Sequence, residues 1–176
     1  MLSTLITSKT RKKLLIKFFV NSNVNGYLRR LASEFGESTN AIRVELNRFE
    51  KAGLLSASQK GNKILYRANT SHPSYNDLNG FLHKIIGIAN LKKIIITKIE
   101  GLESAYLTGK IAQGIDSPLF DLILVCNKPD KLKINELVEK FEKTQERKIK
   151  YLIVKADELN GYLNESTAFK IWEKEI

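Results

Sequence analysis

The chain has 176 residues, of which 43% are hydrophobic, and its 29 Lys/Arg against 19 Asp/Glu give a formal net charge of +10. That apolar fraction excludes a disordered chain, and the length allows one domain or two small ones. The lone Cys126 excludes a disulfide framework or a cysteine metal cluster. No signal-peptide start and no run of about 20 apolar residues is seen, so a cytoplasmic protein without a membrane span is expected.

The charge is uneven. Residues 1–90 hold 14 Lys/Arg against 5 Asp/Glu, whereas residues 91–176 hold 15 against 14. A polyanion-binding surface is therefore expected in the first half. A basic amphipathic membrane binder fits less well, because the bases accompany a closed-core pattern.

In chain order, Ser8 can cap a helix running to Val20, with Leu14, Leu15, Phe18 and Phe19 on its core side. Lys9, Arg11, Lys12 and Lys13 crowd its first turn, where the helix dipole disfavours cations. Either phosphates lie nearby or the turn is merely solvated. Residues 21–26 read as a loop. Leu28, Leu31, Ala32 and Phe35 then repeat at three and four, giving a short helix one apolar face. Gly36 suits a sharp bend with positive φ, and Ser38 or Thr39 can cap a second helix. On that helix Ile42, Leu46 and Phe49 share one sector, while Asn40, Arg43, Val44, Asn47 and Lys51 lie opposite. Asn and Arg can pair bidentately with base edges, and Val can touch a thymine methyl. An ordinary solvated face would look similar. Gly53 suits the position just past the helix end. Residues 54–58 and 64–68 read as strands, and Lys60-Gly61-Asn62-Lys63 reads as a basic hairpin turn.

Ala32, Gly36, Ile42, the Glu50-Lys51-Ala52-Gly53-Leu54-Leu55 segment and the basic hairpin together resemble the winged helix-turn-helix of ArsR-like and MarR-like transcription regulators, over residues 8–70. The resemblance implies a second helix that enters the DNA major groove and a wing that reaches the backbone or minor groove. The DNA-binding residues it implies are Ser38, Thr39, Asn40, Arg43, Val44, Asn47 and Lys51 on the helix, with Lys60, Asn62 and Lys63 on the wing.

Residues 69–76, with Pro73, form the clearest linker. Residues 77–88 read as a helix whose apolar Leu78, Phe81, Leu82, Ile85 and Ile86 make it the candidate seam of a homodimer, or a packing element between domains. His72 and His83 lie in unrelated contexts and suggest no metal site. Beyond residue 90 the pattern alternates. Helices are expected at 91–99, 134–144, 156–163 and 168–175, the last with Trp172 docked, and strands at 103–107, 119–126 and 149–154. Such alternation indicates an α/β or α+β unit around one sheet.

Gly109 follows a strand, Gly114 comes next, and Asp121 begins the following strand. Residues 90–163 thereby resemble the small nucleotidyltransferases of the DNA polymerase β-like superfamily. In that family the glycine loop holds a triphosphate, and paired carboxylates bind Mg²⁺ for phosphoryl transfer. Here Leu119 stands at the first Asp position, Lys110 replaces the loop serine, and Lys150 stands near the third carboxylate position. A single Asp121 cannot offset two metal ions, so a retained fold without turnover is expected. Gly109, Lys110 and Asp121 would then form a vestigial nucleotide site.

The expected architecture is α+β: a winged helix-turn-helix over 1–70, a linker and helix over 71–89, and a nucleotidyltransferase-like domain over 90–176. The expected function is a DNA-binding regulator, not an enzyme, whose second domain interacts with a protein or senses a small molecule. Double-stranded DNA and a second copy of the chain are its expected partners, with no cofactor, catalytic residue, metal ligand or membrane. The rival is an active nucleotidyltransferase whose winged helix recruits a nucleic-acid or protein substrate. A third reading, a protein-docking wing, gives no reason for so basic a first half.

Overall fold

The computed structural model describes residues 6–163 and 168–175, and the chain divides into two compact units, Met1–Ile85 and Ile86–Ile176. The first unit contains α1 (Lys9–Phe19), β1 (Asn25–Tyr27), α2 (Leu28–Phe35), α3 (Thr39–Lys51), β2 (Leu55–Lys60), β3 (Lys63–Ala68) and α4 (Tyr75–Ile86). The strands form an antiparallel sheet of order β1-β3-β2. Three helices and a hairpin in this order make a winged helix-turn-helix arrangement.

Ser8 caps α1, its Oγ accepting the Arg11 N–H at 3.2 Å. Leu14, Leu15, Phe18 and Phe19 are buried, as are Leu31, Ile42, Leu46 and Phe49. Each such side chain contributes about 1.5–3 kcal/mol through removal from water. Both turns of the helix-turn-helix rest on left-handed glycines. Gly36 has φ 63° and Gly53 has φ 72°. These let Glu37 N–H reach the Ala32 carbonyl at 3.0 Å and Leu54 N–H reach that of Phe49 at 2.9 Å, closing helix ends that would otherwise leave carbonyls unpaired.

Two details differ from the sequence reading. Asn25 and Gly26, read as loop, form β1 together with Tyr27, because the three pair with Arg67, Tyr66 and Leu65 of β3. The helix expected over 77–88 runs from Tyr75 to Ile86 and stops at Gly87, which has φ 92°. On α4, Leu82 and Ile86 are 1% and 2% exposed, whereas Phe81 is 37% exposed. α4 also closes the end of α1. Asn79 Nδ2 donates to the Phe19 carbonyl at 2.7 Å, and His83 Nε2 lies 2.9 Å from that of Val20.

The second unit runs α5 (Ile88–Ile94), a 3₁₀ turn (Ile96–Lys98), β4 (Leu102–Thr108), α6 (Gly109–Ala112), β5 (Leu119–Cys126), α7 (Lys131–Thr144), β6 (Lys148–Val154), a second 3₁₀ turn (Leu159–Gly161) and β7 (Phe169–Glu173). Its sheet has the order β6-β5-β4-β7, with β5 antiparallel to β4 and parallel to β6. Phe120 of β5 meets Phe141 of α7 edge-on at 6.1 Å on one face. On the other, Ile123, Val125 and Val154 pack with Tyr106, Leu159 and Leu163.

The helix expected over 156–163 is reduced to the turn Leu159–Gly161. The terminal helix expected over 168–175 is instead β7, paired antiparallel with β4. Buried Ala168 and Ile171 sit three apart, as a helix would place them; the open edge of β4 decides for strand, and Trp172 pairs with Ala105 within it. Among the described residues no helix is long and apolar enough to cross a membrane. The chain is a mixed α+β protein with two sheets.

Candidate nucleic-acid interface

Three of the four acids of the helix-turn-helix, Glu34, Glu37 and Glu45, are paired with bases of α1, and the fourth, Glu50, is exposed. Lys17 Nζ lies 2.6 Å from Glu34 Oε1, with both side chains largely buried. Lys13 Nζ donates to the Phe35 carbonyl at 2.7 Å and to Glu37 Oε1 at 3.0 Å. The Arg11 guanidinium forks onto Glu45, Nε to Oε2 at 2.9 Å and Nη2 to Oε1 at 3.2 Å. Arg48 Nη1 adds a bond to Oε1 at 3.0 Å, and Ser8 Oγ donates to the same oxygen at 3.4 Å. Burial opposes ionisation of Glu45, but the hydrogen bond and charge of Arg11, with Arg48 and Ser8, outweigh it and hold the carboxyl below its ordinary range. Arg11 and Lys13 are thus neither waiting for phosphate nor merely solvated, the two readings the sequence left open. They bolt α1 to the helix-turn-helix.

This pairing leaves the outer surface positive. Arg29, Arg30, Arg43, Lys51, Lys60, Lys63 and Arg67 are exposed, and none is paired with an acid among the described residues. On α3, Ser38 is the cap, its Oγ accepting the Ala41 N–H at 3.1 Å. Thr39, Asn40, Arg43, Asn47 and Lys51 are exposed along one side, with Val44 among them at 41%. Burial raises the Tyr66 phenol pKa, Glu50 adds to the rise and Arg43 opposes it.

The wing is a two-residue hairpin in which Lys60 pairs with Lys63 across Gly61 and Asn62. Gly61 has φ 60° while no non-glycine residue has positive φ, the pattern of a type II′ turn. Lys63 Nζ sits 5.9 Å from the centre of the Tyr27 ring, which steadies it by a cation–π contact. All ten residues expected to meet DNA lie in this one unit, on the exposed side of α3 and at the wing. Arg29, Arg30 and Arg67 are exposed cations of the same unit that escaped the sequence reading. The adjacent arginines opening α2 were its visible sign, whereas exposure of Arg67 follows from pairing β3 between β1 and β2.

In the second unit, Gly109 and Asp121 are brought together. Thr108 pairs with Asp121 across β4 and β5, and Gly109 follows with φ 65°. A Cβ at Gly109 would collide with the Asp121 carboxylate and would sit on a positive φ, so both space and backbone favour glycine here. Lys150 pairs with Asp121 across β5 and β6, and Lys110 is exposed at the start of α6. Among the described residues no three His, Cys, Asp or Glu side chains converge as a metal site would need.

No family model and no curated protein matches the chain. Solved structures do. Reduced HlyU from Vibrio cholerae aligns at 18% identity over 48% of this chain and 83% of its own, with a TM-score of 0.38. NolR from Sinorhizobium fredii aligns at 23% identity over 49% and 81%, with a TM-score of 0.37. The antimony-specific transcriptional repressor AntR aligns at 20% identity over 48% and 71%, with a TM-score of 0.36. Likenesses at these scores decide neither fold nor function, which rest on the geometry above.

Proposed function

We propose that this chain is a sequence-specific transcription regulator of double-stranded DNA, acting in the cytoplasm as a homodimer. The winged helix-turn-helix over 1–70 binds DNA, 71–89 is its linker and helix, and 90–176 is a nucleotidyltransferase-like domain without turnover that interacts with a protein or small-molecule effector. In this reading Asn40, Arg43, Val44 and Asn47 face base edges, with Ser38, Thr39 and Lys51 at the margins of the groove. Lys60, Asn62 and Lys63 meet the backbone or minor groove.

The observation that carries the reading is the segregation of charge. Glu34, Glu37 and Glu45 are all consumed by bases of α1, which leaves the outward cations of α2, α3 and the wing in large excess over the exposed Glu50. Such a surface releases counterions when it meets phosphates. Fluorescence anisotropy with a labelled random-sequence duplex tests it. Binding that weakens steeply as salt rises supports the reading, and none at about 50 mM salt rejects it.

The absence of turnover rests on Asp121 standing between Leu119 and Lys150, where two-metal chemistry needs further carboxylates. Gly109, Lys110 and Asp121 then retain at most passive binding of phosphate or nucleotide. Incubation with labelled nucleoside triphosphates, Mg²⁺ or Mn²⁺ and candidate acceptors is expected to leave them unlabelled. Transfer lost in Asp121→Asn would make the chain an enzyme instead.

A further inference from the structure

Among the described residues β6 is an edge of the four-stranded sheet, paired with β5 alone. Along such a strand the N–H and C=O of one residue point the same way, and successive residues alternate. Lys148 N–H donates to the Pro118 carbonyl at 2.8 Å on the β5 side. Ile149, Tyr151, Ile153 and Lys155 therefore turn their backbone groups outward.

Both ends of that outward row are occupied from within the unit. Ile149 N–H donates to Glu142 Oε1 at 2.8 Å, and Lys155 N–H donates to Glu158 Oε2 at 2.9 Å. The bonds from Lys148 Nζ and from the Ile149 N–H hold the Glu142 carboxyl below its ordinary range. Tyr151 and Ile153 remain between the two carboxylates. A protein that must keep an edge silent blocks it with charge, proline or a bulge. Here the blocks stand at the ends and the middle is open.

Beside this window lies a pocket of about 510 Å³, lined among others by Asn127, Lys131, Tyr151, Ile153, Lys155 and Glu158. That size suits a peptide side chain or small ligand. Cations outnumber acids in its lining, Lys131 and Lys155 against Glu158. Lys131, Lys150 and Lys155 are exposed and have no acid partner among the described residues, and Glu158 is committed to the Lys155 N–H.

We propose that the β6 edge docks an extended acidic peptide segment of a partner protein by strand addition. The segment pairs its backbone with Tyr151 and Ile153 and places an Asp or Glu side chain in the pocket that Lys131 and Lys155 line. Backbone pairing of this kind supplies affinity, and alternate side chains supply specificity. A basic segment would meet like charge.

The test titrates the full chain with a terminally blocked Val-Glu-Val-Glu-Val-Glu peptide and with its Val-Lys counterpart, followed by amide NMR spectra. The acidic peptide is expected to shift the Tyr151 and Ile153 amides and slow their hydrogen exchange, and the basic one is not. Ile153→Pro removes one outward N–H and should abolish the response. Lys131→Glu combined with Lys155→Glu, both at the surface, should weaken binding roughly tenfold, because repulsion replaces attraction. Should Ile153→Pro fail to fold, the lysine reversal decides. Equal response to both peptides, or binding indifferent to the lysine reversal, would overturn the proposal. So would protection of Tyr151 and Ile153 that grows with protein concentration in the absence of peptide, since a second copy would then occupy the edge.

Discussion

Glu45, in the middle of α3, is gripped by Arg11 of α1 through two hydrogen bonds of 2.9 and 3.2 Å. The carboxylate side chain is 7% exposed and the guanidinium 37%. Truncating Arg11 to Ala leaves a nearly buried carboxylate with Arg48 alone as its cation. Solvent reaches the arginine, so the expected loss is about 1–2 kcal/mol, below that of a fully buried pair. The folded-state pKa of Glu45 lies below its unfolded value of about 4.5. Its stabilisation is therefore present above that value and lost as pH falls through the folded pKa. Thermal melts of the wild type and Glu45→Gln should differ at neutral pH and converge in acid. A constant gap down to strong acid would show that ionised Glu45 adds nothing.

The wing offers a second check. Replacing Lys60 and Lys63 together with Ala should weaken binding to all DNA sequences and reduce the slope of log affinity against log salt by nearly two units, at about 0.9 per phosphate contact. Removal of Lys63 also frees the Tyr27 ring, so melting temperature should be recorded alongside. An unchanged salt slope in a folded double variant would rule the wing out as a phosphate contact.

At the β4–β5 junction the contact itself is testable. Gly109→Ala forces a side chain onto positive φ and onto the Asp121 carboxylate, an expected cost of about 2–4 kcal/mol. Asp121→Ala removes the colliding atoms, so the double variant should recover at least roughly 1 kcal/mol relative to simple addition. Additive losses in chemical denaturation would mean that Asp121 does not close over Gly109.

For self-association, α4 supplies two contrasting positions. Leu82, at 1% exposure, is core, so Leu82→Glu should unfold the protein and cannot yield a folded monomer. Phe81, at 37%, is the residue free to meet a second copy. Phe81→Glu should convert a dimer to a folded monomer in sedimentation runs at micromolar concentration. A wild type that is already monomeric there would remove α4 from this role.

Much of this was legible in the sequence because local chemistry dictated it. Gly36 and Gly53 ended helices where positive φ was needed, Ser38 capped α3, and β5 occupies 119–126 as its apolar run implied. The misses share a cause. β1 is only three residues, Asn25, Gly26 and Tyr27, that become a strand through β3, and residues 169–173 become β7 only because β4 has an open edge. The partners of Arg11, Lys13 and Lys17 lie 34, 24 and 17 residues away, so no window of sequence displays them. In the site, the outward residues of α3 could be read from helical periodicity, whereas the contribution of Arg67 required the register of the wing.

The most direct measurement is selection of binding sites from a pool of random duplexes by the full chain, repeated with Arg43→Ala. The account predicts an enriched motif, read at one base pair by Arg43, whose loss should cost roughly 1–3 kcal/mol on the selected site and relax the preference there. Two-fold symmetry in the motif would match the homodimer. Binding without any enriched motif, or an equal loss by Arg43→Ala on selected and random DNA, would contradict it.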